Sequence, residues 1–348
     1  MLPSIAFLLG IVAGTADPLL PARYFDHFSV VTNDTVGVAQ RWADLLGVAP
    51  PSTFNNAGPA GNLSYHGART DANILGAFMD CIHLEILEPT DQKPSFWLDH
   101  YREYGTSPFY LGFATNDWQQ PQLDTLSASF ARAGCPTEQT GYWFNSDHSR
   151  GCYHYMGCAD APFGVNLEVM TRNNCYNATT GRRVSSPPPR RHGVRATPAQ
   201  LPSAAMAFIT PVLGCDNLKG FGIVVPNATK TVSHFAASFG QAVPDLIKTG
   251  ATEYKGQPSR AEALFGQLSL NDNLFLHVYQ PLGALPSWWH DGLRRFGPSV
   301  HLVSFDVPDL RAAVQQMQKR GHRVLQRGGD SWAFFDTMEA LGVVVELF

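Results

Sequence analysis

The chain has 348 residues, 44% of them hydrophobic and only 16% charged, with a formal net charge of −4. At roughly 150 residues per domain, this is enough for about two domains with sizeable cores. No basic field and no long run of one sign is present, which excludes nucleic acid and an anionic membrane surface as expected partners.

Residues 1–16 read as an export signal. Ile5 to Val12 is a short apolar run, and the small residues Ala13, Gly14 and Ala16 follow it. Such a run is too short to cross a bilayer, which takes about 20 residues, and cleavage near Ala16 fits better. The segment has no Lys or Arg, so an ordinary apolar tail is the alternative. Asn-x-Ser/Thr sequons at Asn33, Asn62, Asn177 and Asn227 would be glycosylation sites in an exported chain. The six cysteines, Cys81, Cys135, Cys152, Cys158, Cys175 and Cys215, permit three disulfides of open connectivity. Cys152 and Cys158 are near enough to close a short loop. No CxxC pair is present, which argues against structural zinc.

The first strand is expected around His27–Asp34, running apolar and then meeting polar residues. Asp34 or Thr35 can cap a helix running to Leu46 and ended by Gly47. Three strands follow near Pro51–Phe54, Ala72–Met79 and Ile82–Leu87. Tyr110–Asp117 then repeats the pattern of His27–Asp34, and Asp117 precedes a helix through Leu126, Phe130 and Ala133, ended by Gly134. The repeating unit is therefore βαβββ, about 80 residues long. Pro187-Pro188-Pro189, flanked by Arg182, Arg183, Arg190 and Arg191, marks a linker over residues 181–210.

Beyond the linker the chain repeats itself. Lys93-Pro-Ser-Phe-Trp97 matches Leu285-Pro-Ser-Trp-Trp289, a shift of 289 − 97 = 192. At the same shift Arg102 meets Arg294, Gly105 meets Gly297, Phe113 meets Phe305 and Asp117 meets Asp309. Val30–Thr35 resembles Val224–Thr229 at a shift of 224 − 30 = 194. Asn166–Met170 resembles Val344–Phe348. The expected organisation is one paired unit over 22–180, the linker over 181–210, and a second, degenerate unit over 211–348. Trp97 and Trp289 are expected to pack their helices.

The paired unit resembles the vicinal-oxygen-chelate superfamily of glyoxalases, epimerases, extradiol dioxygenases and bleomycin-binding proteins. The resemblance rests on Asp26-His27-Phe28 with Asp44-Leu-Leu-Gly47, on the strand ends Leu84-Glu85-Ile86, Leu167-Glu168-Val169 and Val345-Glu346-Leu347, and on the Pro-Ser-x-Trp-to-Gly stretch. It implies an α+β fold of four βαβββ modules in two pairs, each pair an incompletely closed, cup-shaped mixed sheet with helices outside. It also implies one divalent ion (Fe, Mn, Zn, Co or Ni) per cup, held by the first and last strands of each module. Side chains two apart on a strand share a face, so such positions can converge.

The first-strand positions are His27, Tyr110, Phe221 and Leu302, and the last-strand positions are Glu85, Glu168, His277 and Glu346. The expected metal ligands are His27, Glu85 and Glu168, with Glu168, Glu85 and Tyr110 as the candidate catalytic groups. Tyr110 stands where the family commonly has His. His83 and His154 are candidates for the missing ligand. Phe221 and Leu302 cannot bind metal, so His277 and Glu346 read as a remnant, and His301 should face the other way. The implied function is that of a secreted metal-dependent lyase, isomerase or dioxygenase acting on a small oxygen-rich molecule. A non-catalytic small-molecule binding protein is the alternative. Four modules in one chain suit a monomer. Pairing of modules one with four and two with three would instead bring His27, Glu85 and Glu346 together.

Overall fold

The computed structural model describes residues 18–55, 63–115, 117–144, 149–173, 175 and 211–348. The expected export signal, the linker and the sequons at Asn62 and Asn177 lie outside the described residues. Asn33 and Asn227 are exposed. Among the described residues, no helix is long and apolar enough to cross a membrane.

The first half comprises β1 (Phe25–Val31), α1 (Thr35–Leu46), β2 (Thr53–Asn55), β3 (Leu63–Tyr65), β4 (Ala68–Thr70), β5 (Ile74–Met79), β6 (Leu84–Pro89) and α2 (Phe96–Tyr104). It continues through β7 (Ser107–Ala114), α3 (Gln120–Arg132), β8 (Thr137–Phe144), β9 (Arg150–Met156) and β10 (Asn166–Thr171). These strands form one curled ten-stranded mixed sheet in the order β2-β5-β6-β1-β7-β10-β9-β8-β3-β4. The two modules join where β1 runs antiparallel to β7. Each first strand is parallel to its own module's last strand, β1 to β6 and β7 to β10.

The second half has the same plan. Its elements are β11 (Leu218–Val224), α4 (Ala228–Phe239), β12 (Ile247–Gly250), β13 (Glu253–Tyr254), β14 (Gln257–Pro258), β15 (Glu262–Ser269), β16 (Phe275–Leu282) and α5 (Trp288–Phe296). They continue with β17 (Ser299–Phe305), α6 (Leu310–Lys319), β18 (Val324–Arg327), β19 (Ala333–Phe335), α7 (Met338–Leu341) and β20 (Val344–Leu347). The sheet order β12-β15-β16-β11-β17-β20-β19-β18-β13-β14 repeats the first one strand for strand. Modules therefore pair one with two and three with four. Glu346 belongs to the other sheet from His27 and Glu85, and the alternative pairing is ruled out.

Local chemistry explains most boundaries. Asp34 caps α1 by accepting from the Gly37 N–H at 2.9 Å, and Gly47 ends it in the left-handed conformation. Helix α3 follows Asp117 as expected. It starts at Gln120, with Gln119 and Gln122 closing a capping box, while Asp117 accepts a hydrogen bond from the Tyr24 hydroxyl. The β3–β4 hairpin was not expected. It leaves module one and pairs with β8 of module two, Ser64 facing Thr140, so the βαβββ unit is not strictly self-contained.

The face of each sheet opposite its cup packs on helices and on the other half. Phe221 sits 5.1 Å and 4.8 Å from the ring centres of Phe25 and Phe28. The Trp42 indole N–H on α1 donates to the Leu341 carbonyl at 3.1 Å. The interface is pseudo-symmetric. On one side Gly342 lies against Val30, and on the other Gly164 lies against Val225, with positive φ at both glycines. A Cβ at Gly342 or Gly164 would approach the valine to 2.1 Å or 2.4 Å, so only glycine fits either place.

All six cysteines are bonded, as Cys81–Cys215, Cys135–Cys158 and Cys152–Cys175. Cys152 and Cys158 do not pair with each other. They lie on or just past β9, and each bonds to a different neighbouring segment. Cys81–Cys215 ties the turn before β6 to the turn before β11, and so links the two halves.

Candidate metal centre in the first cup

His27, Ser29 and Val31 of β1 face the cup, while Phe28 and Val30 face the core. Opposite His27 stands Gly112 of β7. A Cβ there would lie 2.5 Å from the imidazole Cε1, so the absent side chain is what lets the ring lie flat across the sheet. Glu85 comes in from β6 and Glu168 from β10, which is itself paired to Gly112. The His27 Nε2 lies 3.3 Å from Glu85 Oε2 and 3.3 Å from Glu168 Oε2. One ligand atom from each of the three residues falls within 4.8 Å of the others.

The electrostatics are those of a site with excess negative charge. Asp26 accepts from His27 Nδ1 at 3.0 Å and is itself paired with Arg172. Burial works to raise the Asp26 carboxyl, yet His27 and Arg172 outweigh it and hold it at about 2. With Nδ1–H committed to a carboxylate, Nε2 is the ring atom nearest the two glutamates and the one a neutral imidazole would offer to a cation between them. Burial opposes charge on His27, but Asp26, Glu168 and Glu85 push its pKa well above the usual value. Glu168 is pushed to about 7, first by burial and then by Glu85 and Asp26, against the pull of His27. Its Oε2 is buried and makes no hydrogen bond, its nearest cationic neighbour being the His27 Nε2 at 3.3 Å. A buried carboxylate oxygen without a hydrogen bond is costly. A divalent cation would satisfy it, and one imidazole with two carboxylates suits such an ion. The residues present therefore fit a metal.

Tyr110, the other candidate, is fully buried and donates to Glu85. Its hydroxyl is 3.4 Å from His27 Nε2 and 3.3 Å from the Tyr155 hydroxyl. Burial and the two glutamates push its pKa well up, so it remains a neutral donor. The other two histidines do not reach the site. His83 precedes β6 in a left-handed conformation, φ 52°, and bonds to the Asp26 carbonyl at 2.8 Å. The alternation that would have put it on the face of Glu85 does not apply outside the strand. His154 points to the opposite face of β9, 2.6 Å from the Ser127 hydroxyl of α3. A cleft of about 990 Å³ around Tyr254, Lys255 and Arg260 lies in the second half and is lined by none of the triad.

The second cup requires one correction. Helix caps align at 227 − 34 = 193 and 240 − 47 = 193, so the counterpart of His27 is Gly220 and not Phe221. Gly220 pairs with Ser304 as His27 pairs with Gly112. Phe221 matches Phe28, in the core. A slip of one residue along a strand moves a side chain to the other face, and Gly220 binds metal no better than Phe221. His301 faces away from the cup, bonded to the Gly297 carbonyl at 3.0 Å.

Glu346 accepts from Ser304 and, at 3.3 Å, from Tyr279, while His277 stands 3.9 Å away. Burial pushes Glu346 up to about 7 and His277 down to about 4. A raised carboxyl favours the fold below its unfolded pKa and loses that contribution as pH rises through the folded one. The depressed histidine contributes the opposite slope, its stability being lost as pH falls from 6.5 to about 4. Glu346→Gln is thus expected to match wild type near pH 4.5 and to exceed it by about 1–3 kcal/mol at pH 8. Denaturant titrations at the two pH values check this. An equal offset at both would contradict it.

No family model matches the sequence, and no curated protein does either. Among solved structures, a mutant of 4-hydroxymandelate synthase from Streptomyces coelicolor aligns with a TM-score of 0.54 and 13% identity, covering 95% of this chain and 92% of that one. The fold is that of the vicinal-oxygen-chelate superfamily. Looser likenesses within that fold include the Mn(II)-bound glyoxalase from Novosphingobium aromaticivorans, TM-score 0.40 and 12% identity over 93% of this chain and 81% of that one. Methylmalonyl-CoA epimerase from Mycobacterium tuberculosis aligns with 38% of this chain and 85% of its own length, at 22% identity and a TM-score of 0.27.

Proposed function

We propose that the chain is a divalent-metal-dependent enzyme of the glyoxalase and dioxygenase kind, acting on a small oxygen-rich substrate, with its chemistry in the first cup. The observation that carries this reading is the convergence of His27, Glu85 and Glu168 around the orphaned Oε2 of Glu168. His27, Glu85 and Glu168 would hold the ion. When bound, it would act as a Lewis acid toward a carbonyl or enolate oxygen. Asp26 fixes the His27 tautomer, and Arg172 fixes Asp26. Tyr110, the remaining candidate, donates to Glu85 and so acts on that carboxylate. Glu168 and Glu85 are the groups in reach to hold or move a proton.

In the second cup Gly220 and Leu302 favour a different role, that of a non-catalytic binding surface or a structural partner. Metal analysis of the purified protein tests the enzyme reading. One divalent ion per chain in wild type and none in His27→Ala is expected. Equal metal content in both would sink the assignment and leave the binding-protein reading in its place.

Export belongs to the same proposal, with residues 1–16 as signal, 22–180 and 211–348 as the paired units, and 181–210 as the tether. The three disulfides are consistent with an oxidising compartment. Intact mass of secreted material should show a chain beginning near Asp17, with glycan at one or more sequons where the host glycosylates. A full-length, unmodified intracellular chain would contradict it.

A further inference from the structure

We infer that Trp97 and Tyr155 act as positioning residues for the first cup, as the outer links of a one-way hydrogen-bond relay that ends on Glu85 through Tyr110. The inference rests on the metal reading above. Trp97 stands in the first turn of α2, packs in one cluster with Tyr110 and Tyr155, and its indole N–H lies 3.3 Å from the Tyr155 hydroxyl. Tyr155 on β9 lies 3.3 Å from the Tyr110 hydroxyl, and Tyr110 bonds to Glu85.

The direction of the chain follows from chemistry. An indole N–H can only donate. Tyr155 therefore accepts from Trp97 and turns its own proton toward Tyr110. Tyr110 in turn gives its proton to the carboxylate, which accepts only. Each bond fixes the rotor of the next, so a helix outside the sheet determines where the Glu85 oxygen sits. All three aromatic side chains are buried, which keeps water from replacing any link.

The second cup serves as an internal comparison. Tyr155 pairs with Glu168 and Phe334 with Glu346, so Phe334 is the counterpart of Tyr155. In the same way Leu302 replaces Tyr110, and His277 replaces Glu85. Trp289 remains in the place of Trp97, but its indole N–H is buried without a partner. The half that has no counterpart of His27 has thus also lost both hydroxyls of the relay while keeping the tryptophan. Packing alone does not require the hydroxyl at position 155, since the phenylalanine ring at 334 fills the equivalent place and is as deeply buried.

The test is Tyr155→Phe, which removes one hydroxyl and keeps the ring. Co(II) is the probe, read by titration and by its visible absorption, which reports ligand geometry without any turnover. Outer partners of metal ligands are commonly worth about 10–100-fold in affinity. Tyr155→Phe should weaken Co(II) binding by about 10-fold or more and alter the Co(II) spectrum, with the metal-free melting curve little changed. Trp97→Phe, which breaks the chain one link earlier, should shift the spectrum in the same sense by less, and it substitutes if Tyr155→Phe does not fold. If wild type binds Co(II) and neither affinity nor spectrum changes in the variants, the relay is overturned and the metal centre stands. A wild type that binds no Co(II) overturns both.

Discussion

Glu168→Gln is expected to abolish divalent-metal binding and, in the same variant, to stabilise the metal-free protein above neutral pH. Burial leads the causes that push the Glu168 carboxyl up to about 7, above the ordinary 4.5 of a glutamate. The fold is therefore favoured while this group is protonated. That contribution is complete below about pH 4.5 and is lost as pH rises through 7. At pH 8 the wild type should carry a deficit of up to about 3 kcal/mol that the neutral amide avoids. Loss of a ligand should weaken metal binding by more than about 100-fold. Adding Mn(II) should stabilise the wild type by mass action and leave the variant unmoved. Denaturant curves at pH 5 and pH 8, with and without Mn(II), separate these effects. A variant less stable than metal-free wild type at pH 8 would show that Glu168 is a structural ion-pair partner of His27.

Removal of the Cys81–Cys215 bridge should be the most destabilising covalent change. It spans 134 residues and crosses between the halves. Chain-entropy arguments for a loop of that length give about 4–5 kcal/mol. The double variant Cys81→Ser, Cys215→Ser should nevertheless unfold in one transition, because the halves share one core. Trp42 and Arg41 bond to the Leu341 and Ala340 carbonyls, and Phe221 packs on Phe25 and Phe28. Two separate transitions, or an unchanged midpoint, would contradict this account of the interface.

The sequence carried the architecture because its signals are local and repeated. The alternation in His27–Asp34 and the Asp34 and Gly47 caps act within one turn or one strand. The Pro-Ser-x-Trp repeat needs no partner to be read. The side chains that meet in the first cup were legible too, since Glu85 and Glu168 interrupt apolar strands at the same place. What was not legible depends on partners distant in sequence. The β3–β4 hairpin is placed by β8, which lies in the next module. Alternation was extended one residue too far at His83, which lies before its strand. The counterpart of His27 was misplaced because a gapless match of Val-Val dipeptides hid a one-residue offset that the helix caps reveal. Tyr155 and Arg172 give no sequence signal of their own. Their roles come from Tyr110 and Asp26, brought beside them only by the order of the strands in the sheet. The orphaned oxygen of Glu168 likewise exists only once the cup has formed.

Titration calorimetry of metal-stripped protein with Mn(II) tests the central claim most directly. One ion per chain is predicted, with binding lost in His27→Ala and in Glu168→Gln and retained in His277→Ala. Two ions per chain, or binding that survives loss of His27 and fails with His277→Ala, would place the centre in the second cup and contradict the account.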